Sequence, residues 1–141
     1  MSHRETVLAI GLLGLTLTAG CSSRPTTVTV AGTVRYEGKP LDNGEIRFIP
    51  AEGTAAPTNG SRIVAGRYSV TARGGLLPGR YRVEIESRST AGNELAMPAD
   101  GEGPPKPPVK IPARYNSEST LEAEIGPEPP ELTLDYDLTA K

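Results

Sequence analysis

From Thr27 onward, apolar residues recur at every second position. Val28, Val30, Gly32, Val34 and Tyr36 fall on one side; Thr27, Thr29, Thr33 and Arg35 fall on the other. Successive side chains of a strand point to opposite faces, so this is the pattern of a half-buried strand, and its β-branched residues suit a pleated surface. The pattern returns five times. Ile46 and Phe48 flank Arg47, and Tyr68 and Val70 follow a glycine turn. Tyr81, Val83 and Ile85 alternate with Arg80, Arg82, Glu84 and Glu86. Leu121, Ala123 and Ile125 alternate with Thr120, Glu122 and Glu124, and Leu132, Leu134, Tyr136 and Leu138 alternate with Glu131, Thr133, Asp135 and Asp137. No helical period occurs after residue 20, so the chain is expected to be all-β.

Turn chemistry separates these runs. Glu37-Gly38-Lys39-Pro40 and Asp42-Asn43-Gly44 read as turns, Pro50 ends a strand, and residues 51–60 read as a loop. Arg62 to Val64, Ala65-Gly66 and Arg67 to Thr71 read as a tight hairpin, and Leu77-Pro78-Gly79 as another turn. Ile111 to Asn116 is expected to be short and extended. Residues 88–110 carry five of the 14 prolines and no apolar period. A patternless stretch of about 23 residues exceeds an ordinary connection, so a Pro/Gly-rich mobile surface loop is expected there. About seven short strands in one domain predict an antiparallel β-sandwich of immunoglobulin-like type, without the Cys-Trp-Cys core. With no Trp, one Phe and five tyrosines among 141 residues, its core must rest on Val, Ile and Leu.

The first 20 residues differ in kind. Arg4 precedes an almost wholly apolar run from Val7 to Leu17, then small residues Thr18, Ala19 and Gly20. A run of about 11 is secretory-signal length; a membrane span needs about 20. A buried helix is a poor alternative, because Gly11, Gly14 and Gly20 would each cost roughly 1 kcal/mol against Ala.

Leu17-Thr18-Ala19-Gly20-Cys21 resembles the bacterial lipobox, in which the cysteine sulfur takes a diacylglycerol before cleavage. The Ala-Gly-Cys part matches. The usual Leu three places before the cysteine is Thr18 here, and Leu17 lies one place too early. Cys21 is the only cysteine, so no internal disulfide competes for it. The resemblance implies a signal over residues 1–20 and a lipidated tether over 21–26, with Cys21 as the new N-terminus carrying a further palmitate-type chain on its amine. Ser22 stands where the common inner-membrane retention signal has Asp, which implies outer-membrane residence, facing the periplasm or the exterior.

Residues 27–138 carry a second resemblance. Val30-Ala-Gly-Thr-Val-Arg-Tyr-Glu-Gly-Lys-Pro-Leu41, Gly66-Arg-Tyr68 and Leu77-Pro-Gly-Arg-Tyr-Arg-Val83 are similar to carboxypeptidase-regulatory-like domains, which are transthyretin-like (prealbumin-like) β-sandwiches. Ile111-Pro-Ala-Arg-Tyr-Asn116 followed by Ser119-Thr-Leu121 resembles bacterial lipoproteins built from this domain alone. The resemblance implies a fold and a location, and no activity.

The residues offer little catalytic chemistry. The only histidine, His3, lies in the leader, which removes Ser-His and Cys-His pairs and His-ligated zinc from the rest of the chain. The hydroxyisourate hydrolases of the transthyretin fold need active-site histidines too. A formal charge of −2 argues against nucleic acid. Glu122 with Glu124, and Asp135 with Asp137, each share a strand face; they read as a calcium site or, more simply, as a solvated face that deters edge pairing. Asp42-Asn43-Gly44-Glu45 lacks EF-hand spacing and reads as a turn. Arg80, Arg82, Glu84 and Glu86 read either as an anionic-polymer site or as cross-strand pairs worth about 0.2–1 kcal/mol each. Tyr115 is a sugar platform or, preferably, a core plug. Gly103-Pro-Pro-Lys-Pro-Pro108 is a docking epitope or an extended spacer. The expected function is therefore a non-catalytic, lipid-anchored envelope protein that contacts other envelope proteins or glycans, with a glycan- or calcium-binding module as the alternative and, behind both, a hydrolase working through carboxylates or a loop. No cofactor, catalytic residue or small-molecule substrate is indicated.

Overall fold

The computed structural model describes residues 26–89 and 107–141. The expected leader, Cys21 and most of the Pro/Gly-rich loop lie outside the described residues. Nine strands are present among them: β1 (Thr29–Tyr36), β2 (Lys39–Pro40), β3 (Asn43–Pro50), β4 (Asn59–Val64), β5 (Arg67–Val70), β6 (Gly79–Ser87), β7 (Leu121–Ile125), β8 (Glu131–Thr133) and β9 (Tyr136–Leu138). The only helical pieces among these residues are short 3-10 turns, at Ala72–Gly74 and Ala113–Tyr115. The protein is all-β, as the alternation requires.

The hydrogen-bonded order is β2-β1-β5-β4-β3-β6-β7, with every neighbour antiparallel. β4 and β5 meet at a single pair, Val64↔Arg67, and the sheet curls at that corner. The turn between them uses Ala65 (φ 49°) and Gly66 (φ 75°), the double positive φ that matches the twist of a two-residue hairpin. Glu37 (φ 51°) and Gly38 (φ 73°) close the β1–β2 hairpin in the same way. Curling brings the apolar rows together. Val30 and Val34 of β1, Ile46 and Phe48 of β3, Ile63 of β4, Val70 of β5, and Val83 and Ile85 of β6 are fully buried. Tyr68, Tyr81, Ala123 and Ile125 join them, so the alternation identified the inward faces correctly.

Four local expectations are corrected. Asn43 and Gly44 belong to β3 instead of a turn, because the backbone of Glu86 lies against Gly44 and leaves no room for a side chain. Asn59 and Gly60, expected in a loop, open β4. There Gly60 faces Arg47 across the ladder, and a Cβ on it would stand 3.2 Å from the Arg47 Cα. Ile111 to Asn116 is not extended: Tyr115 N–H donates to the Pro112 carbonyl and Asn116 N–H to that of Ala113, both at 3.0 Å, forming the 3-10 turn.

The last run, expected as one antiparallel strand, is two short strands parallel to β1. β8 pairs with Thr29–Ala31 and β9 with Val34–Tyr36. After β7, residues 126–130 return the chain to the end where β1 begins, and Thr29 N–H donates to the Pro130 carbonyl at 2.9 Å. That return forces the parallel direction. At the break, the Asp135 carboxylate accepts from Thr33 N–H (2.7 Å) and from the Thr33 hydroxyl (2.8 Å). It replaces the backbone acceptor that a continuous ladder would supply, and those bonds hold its carboxyl below the usual carboxylate range. Tyr68 stands opposite Gly32 in the register, and its hydroxyl donates to the Leu134 carbonyl at 2.7 Å.

Candidate functional site

The outward rows of β3, β4, β6 and β7 carry charge. The register sets Glu45 between Arg62 and Glu86, and Arg47 between Gly60 and Glu84. Arg82 faces Glu122 and Arg80 faces Glu124. Arg47 Nη2 lies 2.9 Å from Glu84 Oε2 and 3.5 Å from Glu86 Oε1. Arg82 Nη2 donates to the other Glu84 oxygen at 3.0 Å. Glu84 is only 7% exposed, and both its oxygens are engaged. A buried carboxylate left without partners would be costly, so this pairing is a condition of packing the strand at that point. Arg88 pairs with Glu45 nearer the strand end. Of the expected quartet, Arg82 and Glu84 pair along β6. The cross-strand partner is Arg47, which the sequence placed outward without showing what it faced.

Beside this ladder runs a solvent-open trough of about 1030 Å³. Four arginines line it, Arg47, Arg62, Arg73 and Arg88, against one carboxylate, Glu45. Gly60 contributes no side chain to its floor. Arg73 sits in the 3-10 turn at φ 57°, left-handed for a non-glycine residue, and is exposed. It makes no hydrogen bond or ion pair among the described residues. The convergence of these arginines was not legible in the sequence, where they lie on four separate segments.

The other candidates fall elsewhere. β7 pairs with β6 and β9 with β1, so Glu122 and Glu124 lie on different strand neighbours from Asp135 and Asp137. Among the described residues no three of His, Cys, Asp and Glu gather as a cation site. Tyr115 packs partly buried against the core, the favoured reading. The Arg114 guanidinium carbon lies 4.7 Å from its ring centroid, and Thr139 N–H donates to its hydroxyl at 3.3 Å.

These contacts favour the phenolate. The Thr139 side chain, then Arg114, then the Thr139 amide bring the Tyr115 hydroxyl down to about 8. Burial instead pushes Tyr136 up to about 12 and raises Tyr68 and Tyr81 as well. A lowered folded pKa contributes stability that is complete above the unfolded value and is lost as pH falls through the folded one. Between about pH 8 and the ordinary value near 10, wild type should therefore gain stability over Tyr115→Phe as pH rises. Ultraviolet titration should show one tyrosine ionising near pH 8, absent in Tyr115→Phe. A first tyrosine transition at 10 in both proteins would refute the arrangement.

No protein-family model matches the chain, and no curated protein is significantly similar to it. Among solved structures, a 9R-lipoxygenase from Cyanothece PCC8801 shares 19% identity at a TM-score of 0.33. The match covers 84% of this chain and 17% of that one, so the chain spans a small part of the lipoxygenase's length. Among the described residues no helix is long and apolar enough to cross a membrane.

Proposed function

We propose that this chain is a non-catalytic, lipid-anchored protein of the bacterial cell envelope, held by Cys21 in the outer membrane and presenting one β-sandwich for interaction. The observation that carries the reading is Ala19-Gly20-Cys21 at the end of an apolar leader, close before the fold begins. Val28 is already 1% exposed. The intervening residues reach at most about 25 Å when extended, which would hold the domain near a bilayer surface. Two or more acyl chains anchor stably where one is marginal.

In this reading the curled sheet is two packed layers of the transthyretin-like kind. β2, β1 and β5 with β8 and β9 form one; β4, β3, β6 and β7 form the other. Two features support it: the single-pair corner between β4 and β5, and the burial of Tyr68 and Tyr81 after the Gly66 and Pro78-Gly79 turns. The absence of histidine from residues 22–141 supports a role without acid–base or nucleophilic turnover.

Fractionation of cells expressing wild type and Cys21→Ala tests the anchor. Wild type should sediment with outer membranes, and mass spectrometry should find its N-terminal peptide beginning at an acylated Cys21. Cys21→Ala should keep its leader and lose the acyl mass. An unacylated Cys21 in wild type would end the proposal.

A further inference from the structure

We propose that the trough over β3 and β4 binds a carboxylate-bearing polysaccharide chain. Its lining carries four arginines against one glutamate in a chain whose formal charge is −2. Guanidinium groups thus gather on one surface of an acidic protein, with Arg47 and Arg88 holding carboxylate partners and Arg73 holding none among the described residues. Guanidinium groups match carboxylates in geometry and charge, and they hydrogen-bond through up to five N–H donors. The ion pairs of Arg47 among the described residues run through Nη2, which leaves its other donors facing a ligand.

Three of these groups differ in what they can do. Arg47 is fixed by the buried Glu84, so it is a preorganised donor. Arg88 is 59% exposed at its side chain and its pair with Glu45 is a surface one. Such pairs contribute little, so Arg88 can exchange Glu45 for a ligand carboxylate at small cost. Arg73 occupies a backbone conformation that glycine would adopt without strain, between Thr71-Ala72 and Gly74-Gly75, and its charge has no partner among the described residues. A residue at positive φ whose exposed guanidinium lines the trough and has no partner among the described residues points to a ligand contact.

The shape selects among anions. The trough is open, and its volume of about 1030 Å³ is at the upper limit of small-molecule pockets, which suits a length of polymer. No aromatic side chain lines it among the described residues, so neutral sugars find no stacking surface. The inference rests on the proposed envelope location only for where such a polymer is met.

Calorimetry on the full chain with oligogalacturonates, malto-oligosaccharides and inorganic polyphosphate decides it. Oligogalacturonate should bind, more weakly as salt is raised, and malto-oligosaccharide should not. Arg73→Gly relieves backbone strain while removing the charge. It should weaken binding about tenfold with an unchanged or higher melting temperature. Glu45→Gln, which removes the competing carboxylate, should tighten binding. Equal affinity for the neutral sugar, tighter binding of polyphosphate, or wild-type affinity in Arg73→Gly would each overturn the proposal. An acylated Cys21 with no oligogalacturonate binding would fail the trough alone; oligogalacturonate binding with Cys21 found unacylated in wild-type cells would fail the anchor alone.

Discussion

Gly32→Val is expected to lower stability by about 3 kcal/mol or more and the melting temperature by roughly 10–20 °C. Gly32 lies in the inward row of β1, between Val30 and Val34, and by pattern alone valine would suit it. The tertiary structure forbids any side chain there. A Cβ would overlap the Leu134 carbonyl, with its carbon at 2.7 Å and Asp135 Oδ1 at 3.1 Å. That carbonyl accepts the Tyr68 hydroxyl, and Leu134 N–H donates to the Ala31 carbonyl at 2.9 Å. The clash is with backbone held from two sides, so rotamer adjustment cannot relieve it. β8 and β9 should separate from β1, with loss of hydrogen-exchange protection at Leu134 and Thr33. Ser69→Val, at an exposed position of β5, should change stability by less than about 0.5 kcal/mol. Melting of Gly32→Val within a few degrees of wild type would show that the crossing over Gly32 is wrong.

Phe48→Ala should cost about 3–5 kcal/mol, a large share of the roughly 5–15 kcal/mol that holds a typical domain. Phe48 is the only phenylalanine, there is no tryptophan, and its exposure is 0%. Its ring lies 6.3 Å from that of Tyr68, tilted, and 6.4 Å from that of Tyr81, edge-on. Those distances fall in the range where aromatic pairs add to simple burial. Both tyrosine hydroxyls are committed, Tyr68 to Leu134 and Tyr81 to the Leu77 carbonyl at 2.7 Å, so neither ring can swing into the vacated space without losing a hydrogen bond. In urea, the midpoint should fall sharply with little change in slope. Phe48→Leu should lose less than about 1.5 kcal/mol. A loss below about 1 kcal/mol in Phe48→Ala would contradict the three-ring core.

The inward faces were readable because side-chain alternation belongs to a single strand. Val28, Val30 and Val34, then Ile46 and Phe48, then Tyr81, Val83 and Ile85 follow from a period of two, whatever the strands pair with. Turn chemistry was readable where the conformation is local, as at Ala65-Gly66. It misled at Asn43-Gly44 and at Gly60. There glycine answers to a neighbouring strand's backbone, and a close approach leaves the same sequence trace as a turn.

Pairing is a different kind of quantity. The parallel docking of β8 and β9 depends on Asp135 reaching Thr33 across 102 residues of chain, and no local preference reports that. The trough is likewise a product of register. Arg47, Arg62, Arg73 and Arg88 carry no common motif, and they share a surface only because β3 pairs with β4 on one side and β6 on the other. The amino-acid order alone thus determined that the chain forms strands and which side of each is apolar, since both follow from backbone sterics and burial. Which strands meet, where glycine is obligatory and where positive charge collects were decided by contacts between distant segments, whose energies exist only once the sheet has curled.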